Sequence, residues 1–279
     1  MNGRLAPDSK SAPSKCREYQ QVDMTDVAAE NHKLYGSLYR KRHPLAHLVR
    51  AFVSYDQKSK SRLNWAVVGP VIAQLVASGQ EVRILDFGCG WGTFLLDAPR
   101  RQIRLFGYDI ETSAVDNLSS TMQFVRRHFE PAHADASGNM TPCGFDAIVC
   151  SHVLEHVPDA DAQLRAFSRA LRPGGFLLVN VPINELVKDP RHARAYDRYT
   201  LEQALERAKF RVRKVLECDR LSGLVIRIED RMGSWMHTLL RGPRGILAIA
   251  PMCVTQALER LIASKMPHQQ LIVLAEKCD

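Results

Sequence analysis

The chain has 279 residues, 46% hydrophobic and 24% charged with a net charge of +8, which is globular composition and excludes a disordered, collagen-like or low-complexity chain. Its longest nearly apolar stretch, residues 65–77, is broken by Pro70 and Gln74 and falls short of the roughly 20 residues of a membrane span, and the first twenty residues lack the apolar core of a secretory signal. Seven scattered cysteines without a C-x-x-C pair argue against a disulfide framework or zinc site and predict a reducing, cytoplasmic setting.

Residues 1–20 are rich in Ser, Pro and Lys and read as a flexible tail. Residues 21–80 read as an N-terminal helical cap: Leu34, Leu38, Leu45, Leu48 and Phe52 recur near helical spacing with a break at Pro44, and a second helix runs from about Arg62 to Ser78, ending at Gly79. From residue 81 to 279 the grammar changes. Short aliphatic runs at 82–88, 105–110, 145–151, 175–182, 210–218 and 270–276 alternate with helical stretches at 93–100, 112–128, 159–171 and 200–208. Such runs, bounded by Gly, Pro and Asp, suit strands buried on both faces. The alternation predicts an α/β fold with a doubly wound, mostly parallel sheet.

About fifty residues separate the last two runs, and they hold a helical insertion at about 223–266. Met232, Trp235, Met236, Leu239 and Leu240 form one amphipathic stripe, and Val254, Leu258, Leu261 and Ile262 a second. Three roles are open: a lid over a cleft, packing on the sheet or a dimer contact, and, with Arg227, Arg231, Arg241 and Arg244 nearby, contact with an anionic membrane. Charge is uneven along the chain. Residues 1–80 hold twelve Lys/Arg against six Asp/Glu, 81–180 nine against twelve, and 181–279 seventeen against twelve. Basic flanks could draw an anionic substrate, nucleic acid or membrane, or be a solvated surface.

The most informative stretch is ILDFGCGWG, residues 84–92: a strand, a turn with Gly88, Gly90 and Gly92, then a helix start. Such a turn lets backbone amides approach a ligand without a Cβ in the way. Asp109 ends the next strand, seventeen residues after Gly92, where a carboxylate can accept both hydroxyls of a ribose. A dinucleotide site wants G-x-G-x-x-G, whereas here the third glycine comes one residue early and Asp86 stands two before the first. An acid there repels pyrophosphate and suits an ammonium or sulfonium. This favours S-adenosylmethionine over NAD, although the three glycines could also serve a tight turn with no ligand.

Over residues 80–218 the sequence resembles the class I S-adenosylmethionine-dependent methyltransferases, in particular the branch with ubiquinone-biosynthesis and natural-product O-methyltransferases. ILDFGCGWG resembles the glycine-rich first motif, FGYDI the ribose-binding segment, and FDAIVCSHVLEHVPD and LRPGGFLLVNVP the fourth and fifth strands with their loops. DRYTLEQALERAKF resembles the approach to the sixth strand, with Lys209-Phe210 in place of Gly-Phe. The resemblance implies a seven-stranded Rossmann-like sheet and a cofactor site of Asp86, Gly88, Gly90, Gly92, Asp109, Ile110, Asp135, Ala136, Ser151 and His152. Asp135 has the alternative of capping a turn before Gly138, and His152 that of ordinary packing.

Methyl transfer to a hydroxyl calls for a base, and His192, His152 and His156 follow the fourth and fifth strands near the edge where open α/β sheets bind ligands. His156 could instead pack at a helix start, or with Glu155 hold a divalent cation, although no metal is expected. There is no N/D-P-P-Y/F motif of amino-methylation, Pro142-Cys143 precedes the fourth strand instead of following it, and no nucleic-acid-binding signature stands out. The expectation is methylation, at oxygen, of a small or medium-sized apolar or anionic acceptor, by a monomer or homodimer without a transmembrane segment. The alternatives are methylation of RNA or a lipid-linked glycan, and an accessory protein that binds the cofactor without turnover.

Overall fold

A computed structural model describes residues 39–278 apart from 41, 101, 136–138, 186–188 and 233–240. The expected tail, the first part of the N-terminal helical pattern with Leu34 and Leu38, and Trp235, Met236, Leu239 and Leu240 of the insertion lie outside the described residues.

Helix α1 (Pro44–Val53) starts at the predicted break, with Pro44 in the first turn where its missing N–H costs nothing. Helix α2 (Tyr55–Ala77) begins seven residues before the sequence pattern suggests and stops where Gly79, at φ +81°, sends its N–H back to Val76. Strand β1 (Val82–Phe87) leads through the glycine turn into α3 (Thr93–Leu96). That helix is four residues long, not eight. Pro99 has no N–H to continue it and its ring would crowd the carbonyl a turn back. Then come β2 (Ile103–Tyr108) and α4 (Thr112–Phe124), which ends ahead of Arg126, whose φ of +54° no helix accommodates.

Short strands β3 (Glu130–Pro131), β4 (His133–Ala134) and β5 (Met140–Thr141) follow, then β6 (Phe145–Ser151). A 3-10 turn at Leu154–His156 and α5 (Ala160–Ala170), capped by Asp159, lead to β7 (Leu171–Pro182). Helix α6 (Arg198–Arg207) opens with a capping box of Asp197 and Thr200 and precedes β8 (Phe210–Cys218). The insertion supplies α7 (Arg220–Met232), α8 (Arg241–Ile249) and α9 (Met252–Ile262) before β9 (Gln270–Lys277).

The sheet order is β3-β2-β1-β6-β7-β9-β8. β9 runs antiparallel to both β7 and β8, and the pairings from β3 to β7 are parallel. Residue parity sorts the two cores. Ile84, Ala147, Val149, Leu178 and Ile272 face α2 and α4, while Leu85, Ile148, Leu177, Val179 and Val273 face α5 and α6. Helix α2 therefore lies in the same layer as α4, and its Val67, Val68 and Ile72 belong to the main core. Tyr55 of α2 packs with Leu221 of α7, Ala248 of α8, Ala263 and Met266, a third cluster that ties the insertion to the body. The second amphipathic stripe does not enter a core: Val254, Leu261 and Ile262 are exposed, Leu261 at 77%.

Candidate active site

A cleft of about 770 Å³ runs along the edge where the parallel strands end, the place an open α/β sheet offers to ligands. Gly88, Gly90, Asp86, Asp109, Ile110 and Glu111 line it over β1 and β2; Ser151, His152, Glu155, His156 and His192 line it over β6 and β7. Two residues just past strand ends enter it through left-handed backbone: His152 after β6 (φ +54°) and Asp219 after β8 (φ +64°). Non-glycine residues held in this region cost about 1–3 kcal/mol each and cluster at functional sites.

The glycines divide their work. Gly88 and Gly90 line the cleft, and a Cβ on Gly88 would come within 2.2 Å of Val153. Gly92 does not line it. Its φ of +66° starts α3, and a Cβ there would lie 2.2 Å from Leu118 Cδ1, so it serves the close approach of α3 to α4. Asp109 is held by two backbone donors, Gly90 N–H to Oδ2 at 2.9 Å and Glu111 N–H to Oδ1 at 3.0 Å, which fixes the carboxylate and leaves lone pairs for a ligand.

Asp86 is only 4% exposed, and no basic side chain among the described residues pairs with it or with Asp109. Burial and the neighbouring Asp109 push its carboxyl up to about 8, and burial raises Asp109 as well. A buried acid and a half-buried one, without a counter-ion, make a site for a cation.

Asp135 stands elsewhere. It closes the turn between β4 and β5, where its two oxygens accept from Asn139 N–H at 2.9 Å and Asn139 Nδ2 at 3.0 Å, and it does not line the cleft. The turn alternative describes its geometry. Ala136, and Gly138 with it, lie outside the described residues.

The three histidines come together around Glu155. His156 and His192 rings meet edge to face at 4.7 Å, and His152 Nδ1 lies 3.5 Å from Glu155 Oε1. Glu155 is 1% exposed, both its oxygens lack a hydrogen-bond partner, and burial lifts it to about 7. Burial lowers His152, and burial with the adjacent His192 lowers His156 to about 4, so both are neutral. His192 goes the other way. Burial disfavours its charge, but the bond of Nδ1 to Glu185 Oε1 at 2.6 Å outweighs it and raises the imidazole. The ligand atoms of Glu155, His156 and His192 lie within 4.8 Å of one another, so in the alternative where Glu155 and His156 hold a cation, His192 would be a third donor.

Sequence reasoning missed Glu185, and it missed the polar floor. Asn180 Nδ2 donates to Asn64 Oδ1 at 2.9 Å and to Gln270 Oε1 at 3.0 Å, and Gln270 Nε2 and Ser222 Oγ both donate to Asp219. Asp219 follows a strand end as Asp109 does, and that placement was a usable signal; the Asn64–Asn180–Gln270 bonds join residues too far apart in sequence for any local pattern.

Residues 38–215, more than half of the chain, match the protein family described as Methyltransferase domain. A ubiquinone biosynthesis O-methyltransferase of Aeromonas salmonicida is 35% identical over 100 residues, 35% of this chain and 42% of that protein. Its namesake from Psychrobacter cryohalolentis is 27% identical over 176 residues, 57% of this chain and 63% of that protein. The matched region spans about half the length of such relatives. Among solved structures, the StiE O-MT superposes with TM-score 0.52 at 16% identity over 79% of this chain and 74% of that one. The [4+2]-cyclase SpnF superposes with TM-score 0.51 at 23% identity over 78% and 80%. Likeness at these identities speaks for the sheet and its helices alone, since one fold carries several reactions.

Proposed function

The chain belongs to the methyltransferase-domain family, and from that premise we propose that it is an enzyme that transfers the methyl group of S-adenosylmethionine to an oxygen of a small acceptor. The observation that carries the reading is the pair of cation-free acids at the glycine turn, buried Asp86 and half-buried Asp109. A group with a positive centre and a ribose diol fits them; a pyrophosphate would meet two acids and no basic partner among the described residues. Asp86 balances the positive charge, Asp109 accepts the ribose hydroxyls, and the backbone at Gly88 and Gly90 lies against the methionine portion. Ile110, 80% exposed at the mouth of the cleft, offers an apolar face to the purine, and Ser151 and His152 close the far side.

When bound, the cofactor supplies an activated methyl for in-line displacement. The chain's part is to align the acceptor and take its proton. His192 suits the role of base, because it lines the cleft and Glu185 anchors Nδ1, which leaves Nε2 for the acceptor hydroxyl. His156 packs beside it as a neutral neighbour and Glu155 as an acid lifted to about 7, and no metal is required. The same cation-seeking, acid-lined cleft speaks against a polyanion such as RNA as acceptor. Helix α7 contributes Ser222 and Ile226 to the wall, which supports the lid role for the start of the insertion.

The test is transfer of label from methyl-labelled S-adenosylmethionine into an extract of the source cells, in EDTA, then split into small-molecule, lipid, RNA and protein fractions. Label in the small-molecule fraction, absent with Asp109→Ala, is the expected result. Label in RNA would overturn the acceptor class. Cofactor binding without any labelled product would favour an accessory protein.

A further inference from the structure

Two helices turn apolar faces away from the body. Helix α1 buries His47 and Ala51, with His47 Nε2 meeting Trp91 O of the glycine turn at 2.9 Å. On its other side it exposes Leu45, Val49, Phe52 and Val53, which recur at i, i+4, i+7 and i+8. Helix α8 buries Ala248 and leaves Ile246 68% and Ile249 67% exposed. The two helices pack against each other and both pack on α2, so their outer faces adjoin. Apolar residues scattered singly over a surface need no explanation, but a stripe carried by two neighbouring helices does.

Charge on the two helices has one sign. From residue 31 to 55 the sequence carries five Lys/Arg and no acid, and from 231 to 258 three Arg and no acid. Arg50 is exposed beside Val49, and Arg244 lies in the first turn of α8. Acids on the elements beneath are taken: Asp56 of α2 pairs with Lys60 at 3.1 Å, and Asp97 after α3 pairs with Lys58. A second copy of this face would bring cations against cations. A nucleic acid would answer the charge and leave the aliphatic side chains in water. An anionic bilayer answers both, because its headgroups take the cations and its acyl boundary takes the stripe.

We infer that the outer face of α1 and α8 is a docking surface for an anionic lipid bilayer. The helices lie in the interface instead of crossing it, since no helix among the described residues is long and apolar enough to span. The insertion then serves two ends: α7 walls the cleft with Ser222 and Ile226, and α8 meets the membrane. Helix α2, on which both docking helices rest, lines the cleft through Lys60, Ser61 and Asn64, so attachment brings the cleft to the bilayer surface. The inference stands apart from the methyl-transfer reading, because the six side chains of the stripe lie outside the cleft.

Flotation of the full chain with vesicles tests it, one set made of equimolar phosphatidylcholine and phosphatidylglycerol, the other of phosphatidylcholine alone. The mixed vesicles should bind the protein about tenfold more tightly, or better. Val49→Glu and Ile246→Glu should each weaken that binding about tenfold, and the two together should abolish it. Tyr199→Glu makes the same charge change at an exposed side chain of α6, in the opposite layer, and should leave binding within about twofold of the unaltered protein. Thermal melts check that each variant is folded, and the comparison of the two vesicle sets stands if one is not. No flotation with the mixed vesicles, or the same loss with Tyr199→Glu as with Val49→Glu, would overturn the inference. Sedimentation velocity covers the remaining occupant: a solution dimer that Val49→Glu dissociates would give the face to a second copy and overturn it as well.

Discussion

Replacing Asp86 by Asn should make the unliganded protein more stable and the cofactor bind less well. The buried carboxyl titrates at about 8 against an ordinary 3.8, so the folded chain holds a proton that the unfolded chain releases. Stability from this group is therefore full below pH 4, declines as pH rises, and levels off above pH 8. The asparagine variant escapes that decline, so its advantage should grow by up to about 1.4 kcal/mol per pH unit across the window. Binding moves the opposite way. A unit positive charge about 5 Å from the carboxylate, at an effective dielectric of about 20, is worth about 3.3 kcal/mol. At pH 7 ionising the acid costs about 1.4 kcal/mol of that, one pKa unit. The net loss in the variant is about 2 kcal/mol, roughly thirtyfold in Kd. At pH 8.5 the ionisation cost is gone and the loss approaches the full Coulomb figure. Calorimetric titration of S-adenosylmethionine into both proteins at pH 7 and 8.5, with thermal melts from pH 5 to 9, measures all of this. Comparing the two proteins at each pH cancels titration of the cofactor itself. Equal affinities, or a stability gap that ignores pH, would refute the reasoning.

Three further substitutions separate roles that the sequence runs together. Gly92→Ala should lower stability by about 2–4 kcal/mol in denaturant melts, from left-handed backbone strain and the collision with Leu118, and Leu118→Ala should restore part of it. Asp135→Ala should leave cofactor affinity unchanged, because the carboxylate serves Asn139, and cost about 1 kcal/mol of stability through the lost turn bonds. Lys58→Ala should cost about 3 kcal/mol by stranding Asp97 where Lys58 and Ser61 now hold it, and Asp97→Asn in the same chain should recover much of the loss.

The strands were legible because burial on both faces leaves its mark in consecutive residues, as in Leu85-Asp86-Phe87 and Ala147-Ile148-Val149. Helix limits were less so. Pro99 and Arg126 stop α3 and α4 through backbone geometry that a periodicity of apolar residues does not register. The local pattern sufficed to bring Asp86, Gly88, Gly90 and Asp109 to one cleft, since one strand–turn–helix unit and the next strand hold them all. It did not show that Gly92, whose neighbour Leu118 lies 26 residues on, stays off the cleft lining, and it could not distinguish Asp135 as a ligand from Asp135 as a turn residue. The half of the cleft over β6 to β9 was least legible. Asn64, Glu155, Glu185, Asp219 and Gln270 come from five elements or loops, and only the sheet order brings them to one cleft.

The functional reading turns on whether the acids at the glycine turn select a cationic nucleoside cofactor. Parallel titrations of S-adenosylmethionine and NAD into the full chain, with Asp109→Ala beside it, decide that point. Saturable one-to-one binding of S-adenosylmethionine, at least tenfold weaker with Asp109→Ala by the loss of about 1.5–3 kcal/mol of charge-assisted bonding, and no binding of NAD is the predicted result. NAD binding as tightly as S-adenosylmethionine, or a cofactor affinity indifferent to Asp109, would contradict it.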